Sequence, residues 1–168
     1  MIRSWSIDIP VRPKAVQSVR ATRNGFYADP KIRKWKDAIR PFIRAASPGR
    51  PTTLPLVVKN LVFTFAYPKS TSKKMREYID AGGVVPYIGC ADITDNLSKG
   101  LIDTCAGIVF ENDKQIWKMG SVRKVYGKAD SMHIEGIDCL YLRSASRRLA
   151  LLLSRLDTIN IRQTNNVC

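Results

Sequence analysis

Histidine is almost missing from these 168 residues, with His133 the only one. A histidine-rich metal site is therefore excluded, and any acid–base or metal chemistry falls to carboxylates and lysines unless His133 supplies it. Cysteine is scarce as well. Cys90, Cys105, Cys139 and Cys168 are scattered with no C-x-x-C pairing, which supports neither a zinc ribbon nor a disulfide framework and reads as reduced thiols. No apolar run approaches the roughly 18 residues of a membrane span. Met1–Pro10 lacks the hydrophobic region of a signal peptide, so a cytoplasmic protein with no membrane partner is expected. Repeats and low-complexity segments are absent too.

Acidic residues are outnumbered two to one, 14 against 28 lysines and arginines, for a net charge of +14. A domain this basic most often meets a polyanion. Residues 1–50 hold twelve basic and three acidic side chains, whereas residues 92–113 reverse the sign with Asp92, Asp95, Asp103, Glu111 and Asp113 against Lys99 alone. Such an island has two readings. One is a solvated helix face followed by a polar turn, and the other is a divalent-cation site beside a phosphate backbone.

The hydrophobic pattern predicts an α+β fold, a single domain with a mixed β-sheet and packed helices. Trp5–Ile9 alternates as a strand, and Asn24-Gly25 marks a turn before a short strand at Phe26-Tyr27. Asp29 and Pro30 read as the N-cap and first residue of a helix whose Ile32, Trp35, Ile39 and Ile43 recur at helical spacing. Leu56–Phe65 reads as a central strand, Ser72–Ala81 as a short helix stopped by Gly82-Gly83, and Asp95–Cys105 as a second amphipathic helix stopped by Gly107. Ile108–Phe110 and Lys114–Tyr126 are expected as a hairpin around Glu111-Asn112-Asp113, with one more strand over Met132–Leu142. A last helix over Ser146–Leu156 aligns Leu149, Leu152, Leu153 and Leu156. Trp35 and Trp117 are read as core residues rather than base-stacking groups.

Residues 92–116 carry a more specific pattern. Asp92-Ile-Thr-Asp95-Asn96-Leu97-x-Lys99-x-x-x-Asp103 is followed by Gly107-Ile-Val-Phe-Glu-Asn-Asp113-Lys-Gln115-Ile116. This resembles the RusA family of Holliday junction resolvases, in which Asp-x-Asp-Asn-Leu-x-Lys opens a helix and a later strand leads to Asp-Asp-x-Gln. The basic loop, short strand and helix over Arg12–Lys34 are similar to that family as well, and the likeness covers about residues 5–142, leaving 143–168 as a C-terminal helix and tail. Two positions depart from the pattern. Ile93 stands where the first carboxylate falls, with Asp92 one residue earlier, and Asn112 replaces the first Asp of the later pair. Either a one-residue insertion brings Asp92 into the site or one ligand is lost, and Glu111 is a candidate to compensate for Asn112.

The resemblance implies a Mg²⁺-dependent endodeoxyribonuclease that resolves four-way DNA by paired symmetric incisions in recombination and repair, acting as a homodimer. Phosphodiester hydrolysis needs an activated water and neutralisation of charge on the phosphoryl oxygens, which Mg²⁺ on hard carboxylate oxygens supplies in a protein with one histidine. Asp92, Asp95 and Asp113 are the expected metal ligands and, with Lys99, the expected catalytic set, Lys99 facing the scissile phosphate. Lys14, Arg20, Arg23, Lys34, Lys118, Arg123 and Lys124 are expected to track DNA phosphates. The competing expectations are an inactive branched-DNA-binding module of the same fold and a basic RNA-binding protein for which the acidic island is incidental.

Overall fold

The computed structural model describes residues 3–16, 20–22, 25–27, 29–47, 49–89 and 92–139, the backbone alone over 20–22 and 25–27. The expected helix over Ser146–Leu156 lies outside the described residues, as do Arg23, Cys90 and Cys168. Among the described residues six strands, three α-helices and two short non-α turns follow one another: β1 (Ser4–Ile9), β2 (Arg20–Thr22), β3 (Gly25–Tyr27), α1 (Pro30–Ala46), β4 (Leu56–Ala66), α2 (Lys73–Asp80), a π-turn (Ile93–Ser98), α3 (Lys99–Cys105), a 3-10 turn (Asp113–Gln115), β5 (Ile116–Gly127) and β6 (Ser131–Asp138).

Four strands form one mixed sheet in the order β1-β6-β4-β5, in which β6 runs antiparallel to both neighbours while β4 and β5 are parallel. The parallel pair needs a long crossover, and α2, the π-turn and α3 provide it. β2 and β3 form a separate two-stranded antiparallel ribbon. The arrangement is the expected α+β one.

One face of the sheet is the core. Trp5, Ile7 and Ile9 of β1, Met132 and Ile134 of β6, and Leu56, Val58, Leu61, Phe63 and Phe65 of β4 are buried there. The two buried positions Val58 and Leu61 are three apart instead of two because the pairing of β4 with β6 shifts register between Val58 and Asn60; a bulge restores the alternation. Against this face lie Trp35, Ile39 and Ile43 of α1 with Leu97, Leu101 and Cys105 of the crossover. Burial pushes the Cys105 thiol up to about 12, leaving it inert, and both Cys105 and Cys139 are free. Gly100 permits the close approach of α3, since a Cβ there would strike Val16.

α1 starts as its sequence predicts, with the Lys31 N–H donating to Asp29 Oδ1 at 2.8 Å and Pro30 in the first turn. α2 likewise has Ser72 as N-cap, its Oγ accepting from the Met75 N–H, and ends before Gly82 at φ +91. The expected hairpin does not form. Gly107, at φ +78, turns the chain, and Phe110 meets Thr52 and Ala106 in isolated bridges. Asp113–Gln115 is a 3-10 turn that feeds β5 into parallel pairing with β4. The Asn-Asp turn chemistry was legible locally, but the partner of the strand after it is a non-local choice. No helix among the described residues is long and apolar enough to cross a membrane.

Candidate active site

The acidic island folds along one edge of the sheet, and short-range hydrogen bonds shape it. Asp92 is an N-cap: its Oδ1 accepts from the Thr94 N–H at 2.8 Å, the Thr94 hydroxyl at 2.8 Å and the Asp95 N–H at 3.3 Å. The Thr94 hydroxyl, then the Thr94 and Asp95 amides, hold its carboxyl below the usual 3.8, with Lys124 adding to the effect. From this cap the chain makes a π-turn instead of an α-turn, the Leu97 N–H reaching back five residues to the Asp92 carbonyl at 3.0 Å. π-turns are rare and concentrate at functional sites. This one sits where Asp92 falls one residue early in the acidic pattern, and a wider turn is how a helix takes up one extra residue. The expected helix from Asp95 to Cys105 is thus corrected: it begins at Ile93 as a π-turn and continues as α3 from Lys99.

Asp113 is held by a second local device. The Lys114 N–H donates to Asn112 Oδ1 at 3.0 Å, and the Asn112 N–H donates to Gln115 Oε1 at 2.7 Å, a capping box in which Asn112 serves as the cap. The Gln115 amide then donates to the carbonyls of Thr52 at 2.8 Å and Leu54 at 2.9 Å, fastening the turn to the start of β4. Thr52 also receives the Glu111 N–H at 3.1 Å and donates its own N–H to Val109 at 3.0 Å. Arg3, ion-paired to the buried Asp138 at 2.9 Å, donates to the same Val109 carbonyl at 3.0 Å. Asn112 and Gln115 are structural here, and Glu111 is exposed.

Between α3 and the start of β5 lies an open cleft of about 400 Å³ lined by Thr94, Ser98, Lys99, Ile102, Asp103, Asp113, Trp117 and Lys118, among others. Lys99 and Asp113, fourteen residues apart, thus converge on one space. Asp103 shares it and is ion-paired to Lys36 of α1 at 3.7 Å. Asp95 is exposed on the π-turn, and Asp92 precedes it; neither lines the cleft. Among the described residues the carboxylates of Asp95 and Asp113 and the ammonium of Lys99 have no hydrogen bond or ion pair, so Asp95 and Lys99 do not form the surface pair their spacing would allow.

No three histidine, cysteine or acidic side chains among the described residues gather as a metal-ligand cluster. Magnesium does not require one, because it is bound through one or two carboxylates and completed by waters and substrate phosphates. Exposed carboxylates with no protein partner, such as Asp95 and Asp113, fit that mode of binding. Asp92 has Oδ1 committed to its cap. His133 is paired with Asp8 at 2.7 Å, cross-strand between β1 and β6, and does not line the cleft.

Of the basic residues singled out, Lys34, Lys118 and Arg123 are exposed, Lys14 is half-buried, and Lys124 is half-buried with its ammonium on the Gly89 carbonyl at 3.0 Å. The loop bearing Lys14 is tied to the π-turn by the Val16 N–H donating to the Asn96 carbonyl at 3.1 Å and to α1 by the Trp35 indole N–H donating to the Arg12 carbonyl at 2.9 Å. The side chains of Arg20 and Arg23 lie outside the described residues. Trp35 is buried as expected. Trp117 is not, being 64% exposed at the mouth of the cleft, and the expectation of a core residue is corrected. Lys36 was missed by sequence reasoning, because its pairing with Asp103 joins α1 to α3 across a long stretch of sequence that no local signal spans.

This basic α+β domain brings Lys99, Asp103 and Asp113 of its acidic motif to one open cleft at a sheet edge, while Asp92 and Asp95 lie outside that lining. The sequence profile of the endodeoxyribonuclease RusA family matches residues 8–135, and the chain belongs to that family. No curated protein matches the chain in a sequence comparison.

Proposed function

We propose that this protein is a Mg²⁺-dependent endodeoxyribonuclease that resolves four-way DNA junctions by paired incisions. The observation that carries this reading is the convergence of Lys99 and Asp113 on one open cleft, from the crossover helix and the turn before β5. Asp95 and Asp113 would hold the ion, with Asp92 contributing through the carboxylate oxygen that its cap leaves over. When bound there, such an ion would supply an activated water and charge neutralisation at phosphorus. Lys99 places its ammonium against a non-bridging phosphoryl oxygen, where charge grows as the water oxygen bonds to phosphorus and the bond to the 3′ oxygen breaks. The products are a 5′-phosphate, which keeps the water oxygen, and a 3′-hydroxyl, formed as the leaving 3′ oxygen takes up a proton in exchange for the one the attacking water gives up.

Lys14, Arg20, Arg23, Lys34, Lys118, Arg123 and Lys124 supply the electrostatic frame for the DNA backbone. A four-way junction has approximate twofold symmetry, so two identical sites in a C2 homodimer match two symmetric nicks. The test is incubation of the purified protein with synthetic four-way and linear duplex DNA, with and without Mg²⁺. Paired nicks in the junction only with Mg²⁺ are expected. Binding without metal-dependent cleavage would leave the branched-DNA-binding module, a reading favoured by the engagement of Asp92 as a cap.

A further inference from the structure

We propose that Trp117 is a base-stacking residue that reads the interrupted stack of a DNA branch point, an inference that rests on the junction-nuclease reading above. Trp5 and Trp35 are buried at 5% and 8% exposure, while Trp117 is 64% exposed. A large aromatic surface held in water on a soluble domain marks a contact surface more often than a packing accident.

Two features of the backbone put it there. In the pairing of β4 with β5, Leu56 faces Ile116 and Val57 faces Lys118, so Trp117 is the extra residue left out of the ladder. Bulges of this kind re-aim a side chain next to a site. The indole N–H then donates to Cys139 Sγ at 3.4 Å, which fixes the ring from the end of β6. The ring lines the same cleft as Lys99 and Asp113, and Lys114 and Lys118 on either side of it are exposed.

This combination selects one kind of ligand. Cationic side chains flanking an exposed π-face suit a nucleic-acid strand, the lysines on phosphates and the ring on a base. In continuous duplex both faces of each base are already covered by neighbours. At a branch point the stack is interrupted and one face is free. Stacking there favours branched over linear DNA without reading sequence, because every base offers a π-face.

The experiment compares wild type, Trp117→Ala and Trp117→Phe on a four-way junction carrying 2-aminopurine beside the crossover, without Mg²⁺, and on linear duplex of the same sequence. Wild type is expected to quench the probe at the crossover. Trp117→Ala is expected to lose that quenching and about 5- to 150-fold in junction affinity, with duplex affinity unchanged, while Trp117→Phe keeps most of both. Equal junction affinity and quenching in Trp117→Ala would overturn the inference. So would an equal loss on duplex, or a fall in sedimenting mass that instead makes Trp117 a contact between two copies of the chain. Wild-type cleavage of the junction in Mg²⁺ is scored separately: if it occurs, such results remove only the role of Trp117, and if wild type shows no preference for junctions, both readings fall.

Discussion

Leu61, Phe63 and Ile134 are shut off from solvent on the helix-packed face of the sheet, whereas Asp92, Asp95, Lys99 and Asp113 are all exposed along its β5 edge. The first region is specified many times over. Each buried side chain touches several others, and losing one leaves the rest to define the face. The second rests on a few hydrogen bonds of individual side chains: one oxygen of Asp92 accepts three at the π-turn, and the amide of Gln115 donates to two carbonyls that fasten the turn carrying Asp113. Stability and the proposed chemistry are thus assigned to different residues.

The largest effect should therefore appear in the core and in stability alone. Phe63→Ala removes a fully buried ring from the middle of β4 and is expected to cost about 3–5 kcal/mol, read from the shift in urea midpoint at unchanged slope. A cost below 1 kcal/mol would mean that this face does not carry the fold.

At the edge the expectation is inverted. Asp113→Asn, Asp95→Asn and Lys99→Ala should each leave the unfolding midpoint within about 0.5 kcal/mol of wild type, as exposed substitutions do. Each should lower the rate of junction cleavage by about 10²–10³-fold, the scale of losing one charge-stabilising group. Junction affinity should hold or rise for the two aspartate variants, since a negative charge near phosphate is removed. Cleavage at wild-type rate in Asp113→Asn would erase the distinction between the two regions at its most informative point.

What was legible in the sequence follows the same division. The start of α1 was readable because Asp29-Pro30 is a local signal and Ile32, Trp35, Ile39 and Ile43 repeat at helical spacing; β4 was readable from its run of apolar residues. The acidic pattern over residues 92–116 singled out Lys99, Asp103 and Asp113, which line the cleft, together with Asp92 and Asp95, which do not. Three things were not legible. The π-turn keeps the residue composition of an α-helix over so few positions that periodicity cannot tell them apart. The parallel pairing of β5 with β4 is a long-range choice that the turn-forming Glu111-Asn112-Asp113 disguises as a hairpin. The exposure of Trp117 depends on a register shift that only the pairing reveals.

The smallest effect, and the finest test of the edge, concerns Asp92. Its carboxyl is held below 3.8 first by the Thr94 hydroxyl and then by the amides of Thr94 and Asp95. A group whose folded value is depressed adds stability that is fully present above its unfolded value and is lost as pH falls through the folded one. The π-turn cap should accordingly persist at neutral pH and weaken only below pH 3.8. Carboxyl NMR should show Asp92 titrating below that value, with the Thr94 amide shift following the same curve. Thr94→Val, which removes the strongest of the three donors while keeping the shape, should move the titration back toward 3.8. In Asp92→Asn the Thr94 amide should no longer follow that curve, because the acceptor remains and the ionisation does not. If Asp92 instead titrates at or above 3.8 and Thr94→Val does not move it, the cap is not what shapes the π-turn. Asp92 would then have both carboxylate oxygens available to an ion, and the edge would be organised for metal first and for backbone geometry second.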